Sequence, residues 1–296
     1  MTTLAVFTKN RTNPAYEAAR IGADRMAAAF GVQVMHFVPD APDDTDQQLS
    51  LLKQARAMRP DALVFTPVHA SRLDEPLRAV VADGIPVFGF VNRMDEVPCI
   101  SQVGSDDGDL AERIAMRLFD AMGGQGRVAV VDGIPGAVTS EERGRGFDRA
   151  LARHPQIRLE ARCTGRYHRG IARDAFSQVL REHPHIDGVL AANDVMALGV
   201  LDALDEAKRR ATVVGVNAIP EAVQAIAHGR LHATADFNAM AMCALATECA
   251  IRYLRKQPVP RHIVLPVEIV DRHNWRGWAM AYADRSLPTL AEIHQP

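Results

Sequence analysis

The amino-acid sequence predicts an α/β fold of two successive halves, each a parallel sheet covered by helices. Three observations carry this. Short apolar runs rich in Val, Ile, Leu and Phe alternate with helical patterns of about 10 to 17 residues, the rhythm of repeated βα units. The runs LVF, VFGFV, VAVV, VLAA and VVGV are continuous instead of alternating, as in strands buried on both faces, so helices must cover both sides of each sheet. At 296 residues the chain exceeds the usual single-domain length, which favours two lobes of roughly 100 to 150 residues each.

The first half opens with the strand LAVF (4 to 7) and a helix from about Pro14 to Phe30, where Pro14 fits a first helical turn and Asn13 a cap. Then come VQVMHF (32 to 37), a helix from about Asp44 to Met58, ALVFTP (62 to 67), a helix near Leu73 to Ala82, and PVFGFV (86 to 91). After CISQVGS the rhythm begins again. A helix from about Asp107 to Ala121 leads to RVAVVDG, a helix from about Thr139 to His154, IRLEARC, a helix from about Ile171 to Arg181, GVLAAN, a helix from about Asp194 to Lys208, and TVVGVN. The remaining segment supplies the strand HATAD, a long helix from about Ala239 to Arg255, and the extended stretch HIVLPVEIV, which can complete both sheets. Pro258 and Pro260 mark a turn before that stretch, and Pro266 interrupts it where a chain passing between lobes could bend.

Composition narrows the function. Apolar residues make up 48% and charged residues 24%, an ordinary globular balance. The formal net charge is -2 with a pI near 6.6, and Lys and Arg are scattered among acids without a basic stripe, which argues against a nucleic-acid partner. The longest apolar-leaning run, Met240 to Ala250, is far short of the ~20 residues that cross a bilayer. The start, MTTLAVF, has no basic stretch followed by an apolar one, so no signal peptide is visible; a periplasmic location implies that one was removed, and a chain native at Met1 is cytoplasmic. Cys99, Cys163, Cys243 and Cys249 show no CxxC or zinc-type spacing and read as small buried hydrophobes.

In open parallel sheets, ligands bind beyond the carboxyl ends of the strands, where loops and helix N-termini present unpaired N–H groups. The residues after each apolar run are Asn13, Thr66, Asn92 and Arg93, Ser105, Asp132, Asn193 and Asp194, Asn217, and Asp236. Any one of them can be a helix cap. As a set they are harder to explain that way, because caps call neither for an Arg directly after a strand, as at Arg93, nor for an exposed aromatic in a first helical turn, as expected at Tyr16. Arginines, amides and one or two rings suit a polyhydroxylated ligand, with donors for vicinal hydroxyls and a flat face for C–H groups. Asp194 reads as the cap of the helix that follows, which leaves Asn193 to a ligand. Arg143, one turn into its helix, either reaches the ligand or is an ordinary surface Arg, and Tyr167 either stacks on the ligand or packs its loop.

Signals for catalysis are poor. GxSxG, HExxH and GxxxxGK[ST] do not occur, and the GGQG of residues 123 to 126 precedes a strand instead of following one, so it reads as a turn and not a dinucleotide loop. His183 and His185 flank Pro184 in a loop, a spacing that disfavours a metal. No catalytic residue, metal or cofactor is expected, and the chain is expected not to be an enzyme.

The sequence resembles the type I periplasmic sugar-binding proteins of the ribose-binding kind, to about Val270. The likeness rests on TNPAYEAARIGAD (12 to 24), GIPVFGFVNR (84 to 93), GSDDGDLAERIA (104 to 115), ERGRGF (142 to 147), ANDVMALGVLDAL (192 to 204), VVGVN (213 to 217) and GRLHATAD (229 to 236), whose order and spacing together are more specific than any one of them. The resemblance implies two Rossmann-like lobes joined by three crossovers near Ser105, Asp236 and Pro266. On that basis residues 1–104 with 237–265 form the first lobe and 105–236 with 266–296 the second, and a ligand is captured between them by hinge closure. It further implies ligand positions at Asn13, Tyr16, Asn92, Arg93, Ser105, Arg143, Tyr167, Asn193, Asn217 and Phe237 or its neighbour Asp236. The implied partners are a sugar, polyol or sugar acid and the permease of an ABC transporter, with the protein a monomer in the periplasm.

The departures matter too. Pyranose-binding relatives usually carry Asp where this chain has Asn92 and Asn217, an aromatic at Ala15, and Gln or Asn at Phe237. Losing two carboxylates while keeping Arg93 and Arg143 points to a smaller, acyclic or anionic ligand. The C-terminal residues Trp275, Trp278, Tyr282 and Leu287 are expected to pack on a lobe as cover, away from the ligand. The alternative reading is the effector-sensing part of a lactose-repressor-type regulator without its DNA-binding part; an unrelated α/β enzyme is a third.

Overall fold

The apolar runs become strands and the periodic segments become helices, in the order that their spacing predicts. In this computed structural model, which describes residues 2–293, the elements of the first half are β1 (Thr3–Phe7), α1 (Pro14–Phe30), β2 (Gln33–Phe37), α2 (Thr45–Met58), β3 (Ala62–Phe65), α3 (Asp74–Ala82), β4 (Val87–Phe90) and β5 (Ser101–Gly104). The second half supplies α4 (Asp107–Ala121), β6 (Gly126–Asp132), α5 (Val138–Arg153), β7 (Ile157–Thr164), α6 (Arg169–Glu182), β8 (Gly188–Ala191), α7 (Asp194–Glu206), β9 (Thr212–Val216), α8 (Pro220–Ala227) and β10 (Ala233–Asp236). The chain ends with α9 (Ala239–Leu254), β11 (His262–Val264), β12 (Glu268–Asp271), two short 3₁₀ turns at Trp275–Trp278 and Tyr282–Asp284, and α10 (Leu290–Ile293).

Two units result. The first holds residues through Ser105, Asn238–Leu265 and those from Tyr282 onward; the second holds Asp106–Phe237 and Pro266–Ala281. Each contains one six-stranded sheet, ordered β11-β5-β4-β3-β1-β2 in the first and β12-β10-β9-β8-β6-β7 in the second. Parallel pairing runs throughout except at β12, which joins β10 antiparallel. The stretch HIVLPVEIV thus serves both sheets: β11 ends before Leu265, and β12 begins after Pro266, whose missing N–H cannot continue a ladder.

Central strands β1, β3, β4 and β8 are buried at nearly every position, as continuous apolar runs require, while the edge strands β2 and β7 are partly exposed. On one face of the first sheet Phe7 stacks on Phe37 at 4.8 Å and lies tilted against Phe65 at 4.8 Å, above Leu52 of α2 and Leu77 of α3. On α1, a Cβ at Gly22 would stand 2.3 Å from the Met240 carbonyl oxygen, so this glycine is what lets α1 approach α9. Gly146 of α5 does the same against Gly108 of α4, also at 2.3 Å.

The run SQVG, read as ending before Ser105, is β5. Two expectations are corrected. Helix α8 went unread: it has eight residues, a Pro at its start and no side-chain cap at Ile219, so it shows little of the periodicity that betrays longer helices. The tail from Tyr282 belongs to the first unit and not the second, because Arg25 Nη1 of α1 donates to the carbonyls of Tyr282 (3.3 Å) and Arg285 (2.7 Å), and the Leu290 N–H donates to Glu248 of α9 at 2.8 Å. The outer ends of the expected lobe ranges, Met1 and residues 294–296, lie outside the described residues. Cys243 and Cys249 are buried, but Cys99 and Cys163 only partly so; burial still pushes the Cys99 thiol up to about 12 and the Cys163 thiol to about 11.

Candidate ligand-binding site

Parallel strands bring their carboxyl ends to one edge of each sheet, and the loops leaving that edge carry the candidate residues. In the first unit the loop after β1 holds Thr8, Lys9 and Asn10, all buried. Asn13 caps α1, its Oδ1 accepting from the Ala15 N–H at 3.0 Å, while its own N–H donates to Asn10 Oδ1 at 2.8 Å. Tyr16 follows on α1. It is buried, and not exposed as expected, with the Lys9 ammonium 5.9 Å from its ring centre. Lys9 was missed in the sequence although it stands two residues after a strand, the same kind of position that singled out Arg93. Its ammonium lies 3.3 Å from Asp43, and both side chains are almost fully buried.

Past β4, Val91 takes φ 61°, a conformation strained for a β-branched residue, and directs the chain into Asn92. Asn92 Nδ2 donates to the Pro67 carbonyl at 2.7 Å, whereas its Oδ1 is buried without a partner. Thr66 Oγ1 after β3, Ser105 Oγ after β5 and Gln102 Oε1 on β5 are likewise buried and unpartnered, with Gln102 Nε2 donating to the Asn92 carbonyl at 3.2 Å. Buried polar groups are nearly always satisfied, so several orphaned acceptors around one strand edge call for donors. Arg93 does not join them. Its side chain is 65% exposed and forks onto Asp95 at 2.8 and 3.2 Å.

The second unit builds its edge from charge networks. Arg143 of α5, 3% exposed, donates from Nε to Asp107 Oδ1 and from Nη1 to the Ala192 carbonyl, both at 2.7 Å, and its guanidinium lies 5.4 Å from the Phe237 ring centre. It is no ordinary surface Arg. Tyr167, at φ 57°, packs its ring where a Cβ on Gly133 would fall 2.2 Å away, and its hydroxyl pairs with Thr139 at 3.1 Å.

The cap of α7 is Asn193, whose Oδ1 accepts from the Met196 N–H at 2.9 Å, and not Asp194 as expected. Asp194 is fully buried beneath, accepting from Thr234 Oγ1 at 2.6 Å and from the Ile219 N–H at 3.0 Å, and burial raises its pKa to about 7. Asn217 follows β9 at φ 122°, with Oδ1 buried and unpartnered. Asp236, at the end of β10, accepts from Trp278 Nε1 at 2.7 Å. Through Trp278 the C-terminal extension packs on the second unit and holds Asp236 in place.

Asp132 completes the edge with a different chemistry. Burial raises its pKa despite the partnered Arg162 at 3.1 Å, and both line an open cavity of about 440 Å³ with Gly136, Ser140 and Asp148.

Comparison with known proteins gives consistent results. The family described as periplasmic binding protein domain matches residues 4–258. A ribose import binding protein of Bacillus subtilis is 28% identical over 266 residues, covering 90% of this chain and 85% of that protein. A xylitol-binding protein of Mycolicibacterium smegmatis is 30% identical over 211 residues, covering 70% of this chain and 60% of that protein. Among solved structures, an ABC transporter periplasmic solute-binding protein of Actinobacillus succinogenes with bound D-allose superposes with a TM-score of 0.88 at 26% identity, covering 94% of this chain and all of that one.

Proposed function

We propose a solute-capture function for this chain, which belongs to the periplasmic binding protein family. It binds one small polyhydroxylated solute, transforms nothing, and delivers the solute to an ABC transporter permease. The relatives are binding proteins of import systems, which gives the regulator alternative no support. We place its work in the periplasm and read it as a monomer that closes on its ligand, with each unit supplying part of the grip.

The observation that carries the reading is the set of buried, unpartnered acceptors at the strand ends: Thr66 Oγ1, Asn92 Oδ1, Ser105 Oγ and Asn217 Oδ1. Solute hydroxyls are donors of the right kind. Charge refines the ligand class. Arg143 and Lys9, the buried cations of the two units, already face Asp107 and Asp43, and Arg93 faces Asp95. The cations that favoured an anionic ligand on sequence grounds are thus neutralised internally. A neutral sugar or polyol fits better than a sugar acid.

A thermal-shift screen with D-ribose, D-allose, xylitol and the matching sugar acids tests this. A neutral compound at 100 times its dissociation constant stabilises the fold by about 2.7 kcal/mol. Mass spectrometry then recovers it unchanged, and small-angle scattering records a smaller radius of gyration. Stabilisation by the acids alone, or turnover, overturns the reading.

A further inference from the structure

The geometry points to Asp194 as the positioning residue for Asn217: its ionised carboxylate holds the turn 217–219 in the strained form that presents the Asn217 side chain. The inference rests on the reading above only for what that side chain is presented to.

Asn217 and Ala218 take φ 122° and φ 51°, two consecutive non-glycine residues in backbone regions that persist only when their surroundings over-determine them. The surroundings are one buried network. Asp194 Oδ2 accepts from the Ile219 N–H at 3.0 Å, at the residue that leads into α8. Asp194 Oδ1 accepts from Thr234 Oγ1 at 2.6 Å, and Thr234 Oγ1 in turn accepts from the Ala218 N–H at 3.2 Å. The Asn217 N–H donates to the Ala235 carbonyl at 2.8 Å, which ties the turn to β10. Gly215 makes room, since a Cβ there would stand 2.3 Å from Asp194 Oδ1. Every group that meets the carboxylate is a donor, so only the ionised form satisfies both; protonation turns one acceptor into a hydroxyl.

The carboxylate titrates near neutrality, because burial raises it to about 7. The charged groups facing it are Asp236 at the end of β10, which raises it further, and Arg143 of α5, which lowers it and is itself paired with Asp107 of α4. Strands β8 and β9 carry no charged residue, and Glu221 of α8 is engaged by Arg169 of α6. Stability and positioning therefore run in opposite directions with pH. A folded-state pKa raised above the unfolded one contributes stability that is fully present below the unfolded pKa, near 3.8, and is lost as pH rises through about 7. Over the same window the turn becomes better held.

The test is the protein without ligand, labelled with ¹⁵N-asparagine and ¹⁵N-alanine, from pH 5.5 to 8.5. The HN–Hα couplings of Asn217 and Ala218, which report φ directly, change with a midpoint near 7 in the wild type and become independent of pH in Asp194→Asn. Couplings that stay constant across the range in the wild type overturn the proposal, and that measurement needs no variant to fold. Calorimetry with xylitol on the same samples decides separately whether the turn serves a ligand: affinity about tenfold weaker at pH 5.5 than at pH 8.5, the scale of one lost hydrogen bond, is the expected result. Titrating couplings with xylitol binding indifferent to pH and to Asn217→Ala would count against the ligand-site reading alone.

Discussion

The two units share a strand order and differ in how they build the strand-end edge. The first leaves Thr66, Asn92, Gln102 and Ser105 with buried atoms that lack partners, and its candidate cation Arg93 stands in solvent on Asp95. The second locks Arg143, Asp107, Asp194 and Thr234 into networks and leaves Asn217 Oδ1 as its open acceptor at the edge. One sheet thus offers hydrogen-bonding capacity, and the other offers a frame. Equal positions in two sheets of the same strand order need not carry equal energy, because burial sets what a charge is worth.

The largest effect is expected at Arg143. Sequence reasoning treats Arg93 and Arg143 alike, as the cations retained where two carboxylates are lost. The structure separates them. Arg143→Ala leaves the nearly buried Asp107 carboxylate without its 2.7 Å partner, and breaking a buried pair from one side costs about 3–5 kcal/mol. Urea unfolding of the variant should show that loss, with ligand affinity falling as well. A midpoint unchanged from the wild type would mean that Asp107 finds another partner, and the frame would not depend on this pair.

A smaller and asymmetric effect is expected from restoring the carboxylates of the pyranose-binding relatives. At Asn217 the change to Asp adds a charged acceptor where Oδ1 has no partner, so Asn217→Asp should improve binding of an aldopyranose such as D-allose by up to about 1.5–3 kcal/mol. At Asn92 the amide N–H already donates to the Pro67 carbonyl at 2.7 Å. Asn92→Asp removes that donor and sets two acceptors face to face, which costs about 1–3 kcal/mol of stability. Melting curves and calorimetry on the two single variants separate these outcomes. Equal behaviour of the pair would remove the distinction between the units at these positions.

How much of this was legible follows from what a sequence encodes. Continuous apolar runs fix which strands are central, and the helical period fixes the helices that cover them, so both sheets could be read in order. Pro266 inside HIVLPVEIV was enough to expect one segment in two sheets. Short pieces were not readable: α8 has barely two turns. At the site, residue types after each strand located the edge, but not the partners of each side chain. Asn193 and Asp194 are adjacent polar residues, and only the fold decides which one caps α7 and which one turns inward to Thr234, 40 positions away. Lys9 could have been found by the rule that found Arg93. The contact of Trp278 with Asp236 could not, since it joins residues 42 apart through a tail without periodicity.

The smallest effect is expected at Arg93, and it bears most directly on the contrast between the units. An exposed pair contributes about 0–1 kcal/mol, because water and salt screen it and two long side chains lose freedom to form it. Arg93 and Asp95, 65% and 68% exposed, are two residues apart in one loop and fit that description. Arg93→Ala should therefore change stability by less than about 1 kcal/mol and leave the affinity for a neutral polyol such as xylitol within about fivefold of wild type. Asp95→Ala supplies the complementary measurement. If Arg93 is held away from the ligand only by Asp95, releasing it should tighten binding, and the gain should vanish when both residues are replaced. If neither change moves the affinity, Arg93 takes no part in the grip, and the first unit's contribution rests on its unpartnered polar atoms at the strand edge.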